Sequence, residues 1–158
     1  MKVVKAPDSI PITEPGPILF AAGGITNCRH WQNEFAELLD GGPGVLLDPR
    51  RDEWDPDAEN DEVKRQIQWE YHGLRIADAI SFWFSHETLQ PIALFELGGA
   101  LERVQAAGSK PRIVFIGCDP GYPRRYDVAC QTILAGHGGI VRSLESLALG
   151  VSHWATAF

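Results

Sequence analysis

Residues 79 to 84 read AISFWF, an apolar run of strand length with no charge and no helical spacing. A strand that faces water on one side alternates apolar and polar residues, whereas one covered on both faces does not. The run is therefore read as a central strand, with helices above and below it. That requirement dominates what the rest of the chain can fold into.

The flanking sequence supplies the partners. Ile18 to Ala22 is a short apolar run closed by Gly23-Gly24, and Trp31, Phe35, Leu38 and Leu39 follow Asn27 at helical spacing. Val45 to Leu47 reads as a second strand, and Glu62 to Ile76 as a helix leading into AISFWF. Pro91 suits a first helical position, and Gly108 is the expected stop of a helix running to Ala107. Arg112 to Gly117 is a fourth strand, Tyr126 to Leu134 a helix, Gly138 to Val141 a short fifth strand and Ser143 to Leu149 a last helix. Strands alternating with helices at this spacing predict a doubly wound α/β fold, a mostly parallel five-stranded sheet with helices on both faces. Prolines 7, 11, 15 and 17 make residues 1–16 an extended strap, and residues 17–158 a single domain. Seven acids between Asp52 and Glu62 read as a solvated loop running into a helix N-terminus.

In such a sheet the ligand crevice lies beyond the carboxyl ends of the strands. The loops there read AGGITN, DPRR, SHETLQ and CDPGYPRR. Gly23, Gly24, Ile25, Thr26 and Asn27 form a strand-to-helix turn that suits either plain chain reversal or an anion at a helix N-terminus. Arg50-Arg51 and Arg124-Arg125 are paired cations suited to phosphate or to surface ion pairs. Trp69 and Trp83 fit either the core or the face of a flat base. Glu96 is the one charge between Pro91 and Leu101, followed by Gly98-Gly99. Partial burial would raise its pKa and an early helix turn would lower it, leaving an ionised but poorly solvated nucleophile. Glu70 follows Trp69 on the preceding helix. Asp78, at the amino end of the AISFWF strand, is assigned a turn or cap.

Composition closes off other functions. Twenty-one acids against fourteen Lys and Arg give a net charge of -7, which argues against a nucleic-acid polymer as partner. Three cysteines without ligand spacing, and five histidines without an HExxH pattern, predict no metal, no cofactor and no disulfide framework. With no apolar stretch long enough for a bilayer and no secretory h-region, a cytoplasmic location and no membrane partner are expected.

In order along the chain, LFAAGGITNCRHWQ, LLDPRRDEW, QIQWE, ADAISFWF and PIALFELGGAL resemble the nucleoside 2-deoxyribosyltransferase superfamily, most closely its nucleoside 2-deoxyribosyltransferase-like branch. The resemblance covers about residues 17 to 130. It implies a flavodoxin-like fold, a nucleoside or nucleotide substrate, and Glu96 of the ELG motif as the nucleophile at the anomeric carbon. Glu70 then corresponds to the acid that protonates the base. Two positions depart: Leu19 stands where relatives carry a first-strand Tyr, and Gln90 where transferases carry an Asp. The missing hydroxyl is assigned to Tyr122. Arg50, Trp69, Trp83, Gln90, Arg124 and the GGITN turn are the expected substrate contacts. Transfer to a second base, hydrolysis of a nucleoside 5′-monophosphate with Arg50 or Arg124 on the phosphate, and a non-catalytic nucleotide-binding module remain alternatives. The superfamily implies a homodimer or higher oligomer, with CDPGYPRR or the SHWATAF tail reaching a partner.

Overall fold

The computed structural model describes residues 1–51, 60–105 and 113–158. Five strands form one all-parallel sheet in the order β1-β3-β2-β4-β5. They are β1 (Lys2–Lys5), β2 (Ile18–Gly23), β3 (Val45–Asp48), β4 (Ala79–Phe84) and β5 (Ile113–Cys118). The helices are α1 (Trp31–Leu38), α2 (Asp61–Ile76), α3 (Pro91–Gln105), α4 (Arg125–Leu134) and α5 (Leu144–Thr156). This is the flavodoxin-like α/β arrangement that the sequence predicts. The expected acidic loop at 52–59, the helix stop at Gly108 and the strand start at Arg112 fall outside the described residues.

All six residues of β4 are buried, and the strand pairs in parallel with β2 on one side and β5 on the other. Its side chains alternate between two cores. Ile80, Phe82 and Phe84 join Phe20, Trp69, Leu97 and Val128, the layer of α2, α3 and α4. Ala79 and Trp83 join Leu19, Trp31, Phe35 and Leu147, the layer of α1 and α5. An unbroken apolar strand follows because each face meets helices rather than water.

The fifth strand differs from the expectation. Lys2–Lys5 pairs with β3 at the far edge, so the segment expected to be only a strap contributes a strand. Its pattern, with Val4 buried and its neighbours exposed, is that of an edge strand whose alternation is too short to read among four prolines. Gly138 to Val141 makes only a single parallel bridge, Gly117 to Val141, because Gly139 takes a φ of 105° that breaks an extended run. Helix α5 runs a further two turns beyond the expected Leu149. Within the tail expected to reach a partner, Trp154 packs 5.9 Å from Phe115 of its own sheet ring to ring, while Phe158 is 62% exposed.

Helix α2 is placed against the sheet by two features. Asn60 caps it, accepting from the backbone N–H of Glu62 and Val63 at 2.9 and 3.0 Å, with acids in the first turn to complement the helix dipole. Gly73 then lets the helix lie on β2, because a Cβ there would come within 2.7 Å of the Phe20 ring. Asp78, joining α2 to β4, accepts from Ile18 N at 2.9 Å and donates its own N–H to Ile18 O at 2.8 Å. The role is structural, as expected, but it ties Asp78 to the start of β2 rather than forming the turn or cap the sequence suggested. Since Phe20 is 1% exposed and also packs on Trp69, Gly73→Ala is expected to destabilise the fold by about 1–3 kcal/mol through overpacking. Urea denaturation measures it, and an unchanged midpoint would contradict the close approach.

Candidate functional site

Helices α2 and α3 lie on the same face of the sheet, close enough for the charge of Glu70 on α2 to act on Glu96 on α3. Glu70 and Glu96 are each half-buried. Burial raises the Glu96 carboxyl first, the neighbouring Glu70 charge raises it further and Arg103 opposes both, leaving it at about 8. Burial likewise raises Glu70, against a hydrogen bond from Gln66 that lowers it. Glu96 is thereby protonated near neutrality, its carboxyl raised by burial and by the Glu70 charge. The sequence argument expected an ionised Glu96. In the ligand-free protein burial outweighs the helix turn, and the proton rests on Glu96.

Gln66 is a residue that the sequence analysis passed over. It lies one turn before Glu70, and its Nε2 donates to Pro49 O at 2.7 Å and to Glu70 Oε1 at 2.8 Å. The available signal was the i, i+4 spacing inside QIQWE. Arg103, seven residues after Glu96 on α3, was missed in the same way.

The floor of the crevice is built by Gln90. Its Oε1 accepts from Gly24 N at 2.8 Å, and its Nε2 donates to Ser85 O at 2.7 Å and Ser85 Oγ at 3.0 Å. It joins the loop after β2 to the loop after β4, the two strands between which the chain changes direction across the sheet. The backbone of Gln90 is left-handed, φ 50°, a conformation few side chains adopt unless the surroundings enforce it. Gln90 therefore shapes the crevice with an amide fully engaged by the protein. Gly24 is equally tied in: its carbonyl accepts from Trp31 Nε1 at 2.9 Å, and a Cβ on it would lie 2.5 Å from Cys28 Sγ. Gly23, Ile25, Thr26 and Asn27 continue the rim. Asn27 is left-handed at φ 55°, and it and Thr26 are exposed.

The other expected contacts are dispersed. Arg50 is 8% exposed, and its guanidinium donates to Arg29 O, Gln32 Oε1 and Cys28 O at 2.9, 3.1 and 2.9 Å, clamping the GGITN turn to α1. Trp69 is packed on Phe20 with its Nε1 donating to Asp8 O at 2.8 Å. Trp83 lies in the α1 and α5 layer, on the face of the sheet away from Glu96. Arg124 pairs with Asp127 at 3.1 Å and borders a groove of about 420 Å³ between α3 and α4, lined by neither Glu70 nor Glu96. Leu19 also points into the α1 and α5 layer; the β2 side chains on the α3 side are Phe20 and Ala22, which carry no hydroxyl. Tyr122 does not replace one, because its hydroxyl hydrogen is given to Leu89 O at 2.7 Å. Cys118 is fully buried and burial pushes its thiol up to about 12, so it is no nucleophile. Among the described residues no cluster of three or more His, Cys, Asp or Glu is placed to hold a metal, and no helix is long and apolar enough to cross a membrane.

The family model described as nucleoside 2-deoxyribosyltransferase like matches residues 16–122, more than half of the chain. No curated protein sequence matches it.

The raised carboxyls carry a stability consequence. The folded protein binds more protons than the unfolded chain from the ordinary 4.5 of Glu96 up to about 8, so stability falls as pH rises through that window. Glu96→Gln removes the buried charge while keeping the shape. It is expected to raise Tm by at least about 2 °C at pH 8, the shift that ~1 kcal/mol gives a chain of this size, and by less at pH 5. Thermal melts at the two pH values check the sign.

Proposed function

The chain belongs to the nucleoside 2-deoxyribosyltransferase-like family, and from that premise we propose that it breaks the N-glycosidic bond of a nucleoside with Glu96 as nucleophile and Glu70 as acid. The observation that carries this is the carboxyl pair itself. Retaining glycosyl chemistry needs one carboxylate and one carboxylic acid, and two half-buried carboxyls that are both raised, Glu96 to about 8, support that pairing.

In the first step a Glu96 oxygen forms a bond to C1′ as the bond from C1′ to the base nitrogen breaks. The electron pair goes to the base, which takes the proton from Glu70, leaving a glycosyl ester on Glu96. In the second step a new base or water attacks C1′, the ester C–O bond breaks, Glu96 leaves as carboxylate and Glu70 recovers a proton. The positive charge developing on the sugar favours an ionised Glu96, so substrate entry moves the proton from Glu96 onto Glu70.

A neutral nucleoside suits this site better than a nucleoside monophosphate. Arg50 is engaged by backbone carbonyls and Arg124 by Asp127, while Glu70 and Glu96 already make the site acidic. The proposal also includes self-association: Ile92 and Phe95, on the turns of α3 that carry Glu96, are 67% and 82% exposed, and a second copy covering them would roof the crevice. The free thiols Cys28, Cys118 and Cys130 suit a reducing compartment such as the cytoplasm.

The test is chromatography of nucleosides and nucleoside monophosphates incubated with the protein, with and without a second base. Base release without acceptor identifies a hydrolase and exchange a transferase; binding with neither sinks the proposal in favour of a binding module. Glu96→Gln should lose at least about 10³-fold in turnover, and a 2-fluoro substrate should leave a sugar adduct on the peptide containing Glu96. Because the pair must keep one proton, kcat/KM should fall as pH rises past about 8. Light scattering checks the assembly: the protein should exceed monomer mass, and Phe95→Asp should lower it.

A further inference from the structure

Resting on the N-glycosidic reading, we propose that Gln66 is a positioning residue for the acid step: it holds Glu70 by one carboxylate oxygen, so that the proton delivered to the leaving base is carried on the other.

The amide of Gln66 is 2% exposed and has two hydrogens. One goes to Pro49 O at 2.7 Å and the other to Glu70 Oε1 at 2.8 Å. Turning the amide over would set its own oxygen against two acceptors, so its orientation is fixed. The orientation is kept although it leaves Gln66 Oε1 buried with no hydrogen-bond partner among the described residues, a destabilising arrangement in itself. The two donors therefore decide the geometry. Pro49 directly follows β3, so Glu70 is tied through Gln66 to the end of a buried strand rather than to its own helix alone.

This has a chemical consequence. Glu70 Oε1 is occupied as an acceptor, which leaves Oε2 as the oxygen that carries the proton for the substrate. As Glu70 gives that proton away, charge develops on its carboxylate, and the Gln66 N–H bond strengthens as it becomes charge-assisted. An interaction stronger in the transition state than in the ground state accelerates the step. Gln66 thus offsets the burial that otherwise makes Glu70 reluctant to lose its proton.

The variant is Gln66→Met, which keeps the length and removes both donors. It is compared with wild type on a purine 2′-deoxynucleoside that wild type cleaves and on its N7-methylated form, whose base is already cationic and departs without a proton. The expected result is a kcat loss of at least about 10-fold on the neutral substrate, a part of the roughly 10²–10⁴ that a whole acid step contributes, and about 2-fold or less on the cationic one. Equal losses on both, or none on the neutral substrate, would overturn the assignment. If wild type cleaves neither, the N-glycosidic reading itself has failed. The positioning is then decided by ¹³C NMR titration of the Glu70 carboxyl, assigned with Glu70→Gln: its midpoint should move up in Gln66→Met, and an unmoved midpoint overturns the proposal.

Discussion

Covering both faces of β4 is the constraint from which the rest of the molecule follows. A parallel strand made of Ala, Ile, Ser, Phe, Trp and Phe cannot meet water on either side. The chain therefore wraps α2, α3 and α4 on one face and α1 and α5 on the other. Parallel pairing requires each crossover to pass over the sheet in the same hand. The helices that precede and follow β4 consequently share a face, which brings Glu70 within electrostatic reach of Glu96.

That juxtaposition runs against stability. Glu70 and Glu96 sit half-buried with raised carboxyls, and the Glu70 charge raises Glu96 further with Arg103 as a partial counterweight. Gln66 keeps a buried oxygen without a hydrogen-bond partner among the described residues, and Gln90 holds a left-handed backbone. Strain and incomplete pairing gathered at one crevice, in a chain whose cores are otherwise apolar, are what a preorganised reactive site looks like physically. The surrounding polar side chains serve rigidity: Arg50 clamps the turn after β2 and Gln90 latches it to the loop after β4.

The positive charge of the crevice loops is correspondingly misleading in the sequence. Arg50-Arg51 and Arg124-Arg125 look like a phosphate site because they follow strands β3 and β5. In the fold Arg50 turns inward to backbone carbonyls, Arg51 pairs with Glu62 and Arg124 pairs with Asp127. A guanidinium satisfies whichever acceptors lie within its reach, and sequence position does not say which those are.

Sequence alone determined the fold class and four of the five strands, and it singled out the two carboxylates on which the proposed chemistry rests. Each rests on a local signal: the unbroken run of β4, the glycine turn after β2, and one charge in an otherwise uncharged helix start. Tertiary structure decided the rest. It took Lys2–Lys5 as the fifth strand, because edge pairing depends on a partner 43 residues away in register rather than on the prolines nearby. It turned Trp83 and Leu19 to the far layer, because a strand's alternation assigns faces only relative to the helices that cover them. It also placed the proton on Glu96, since whether Glu96 is ionised depends on its desolvation and on the distance to Glu70 and Arg103, quantities that exist only once α2 and α3 are packed side by side.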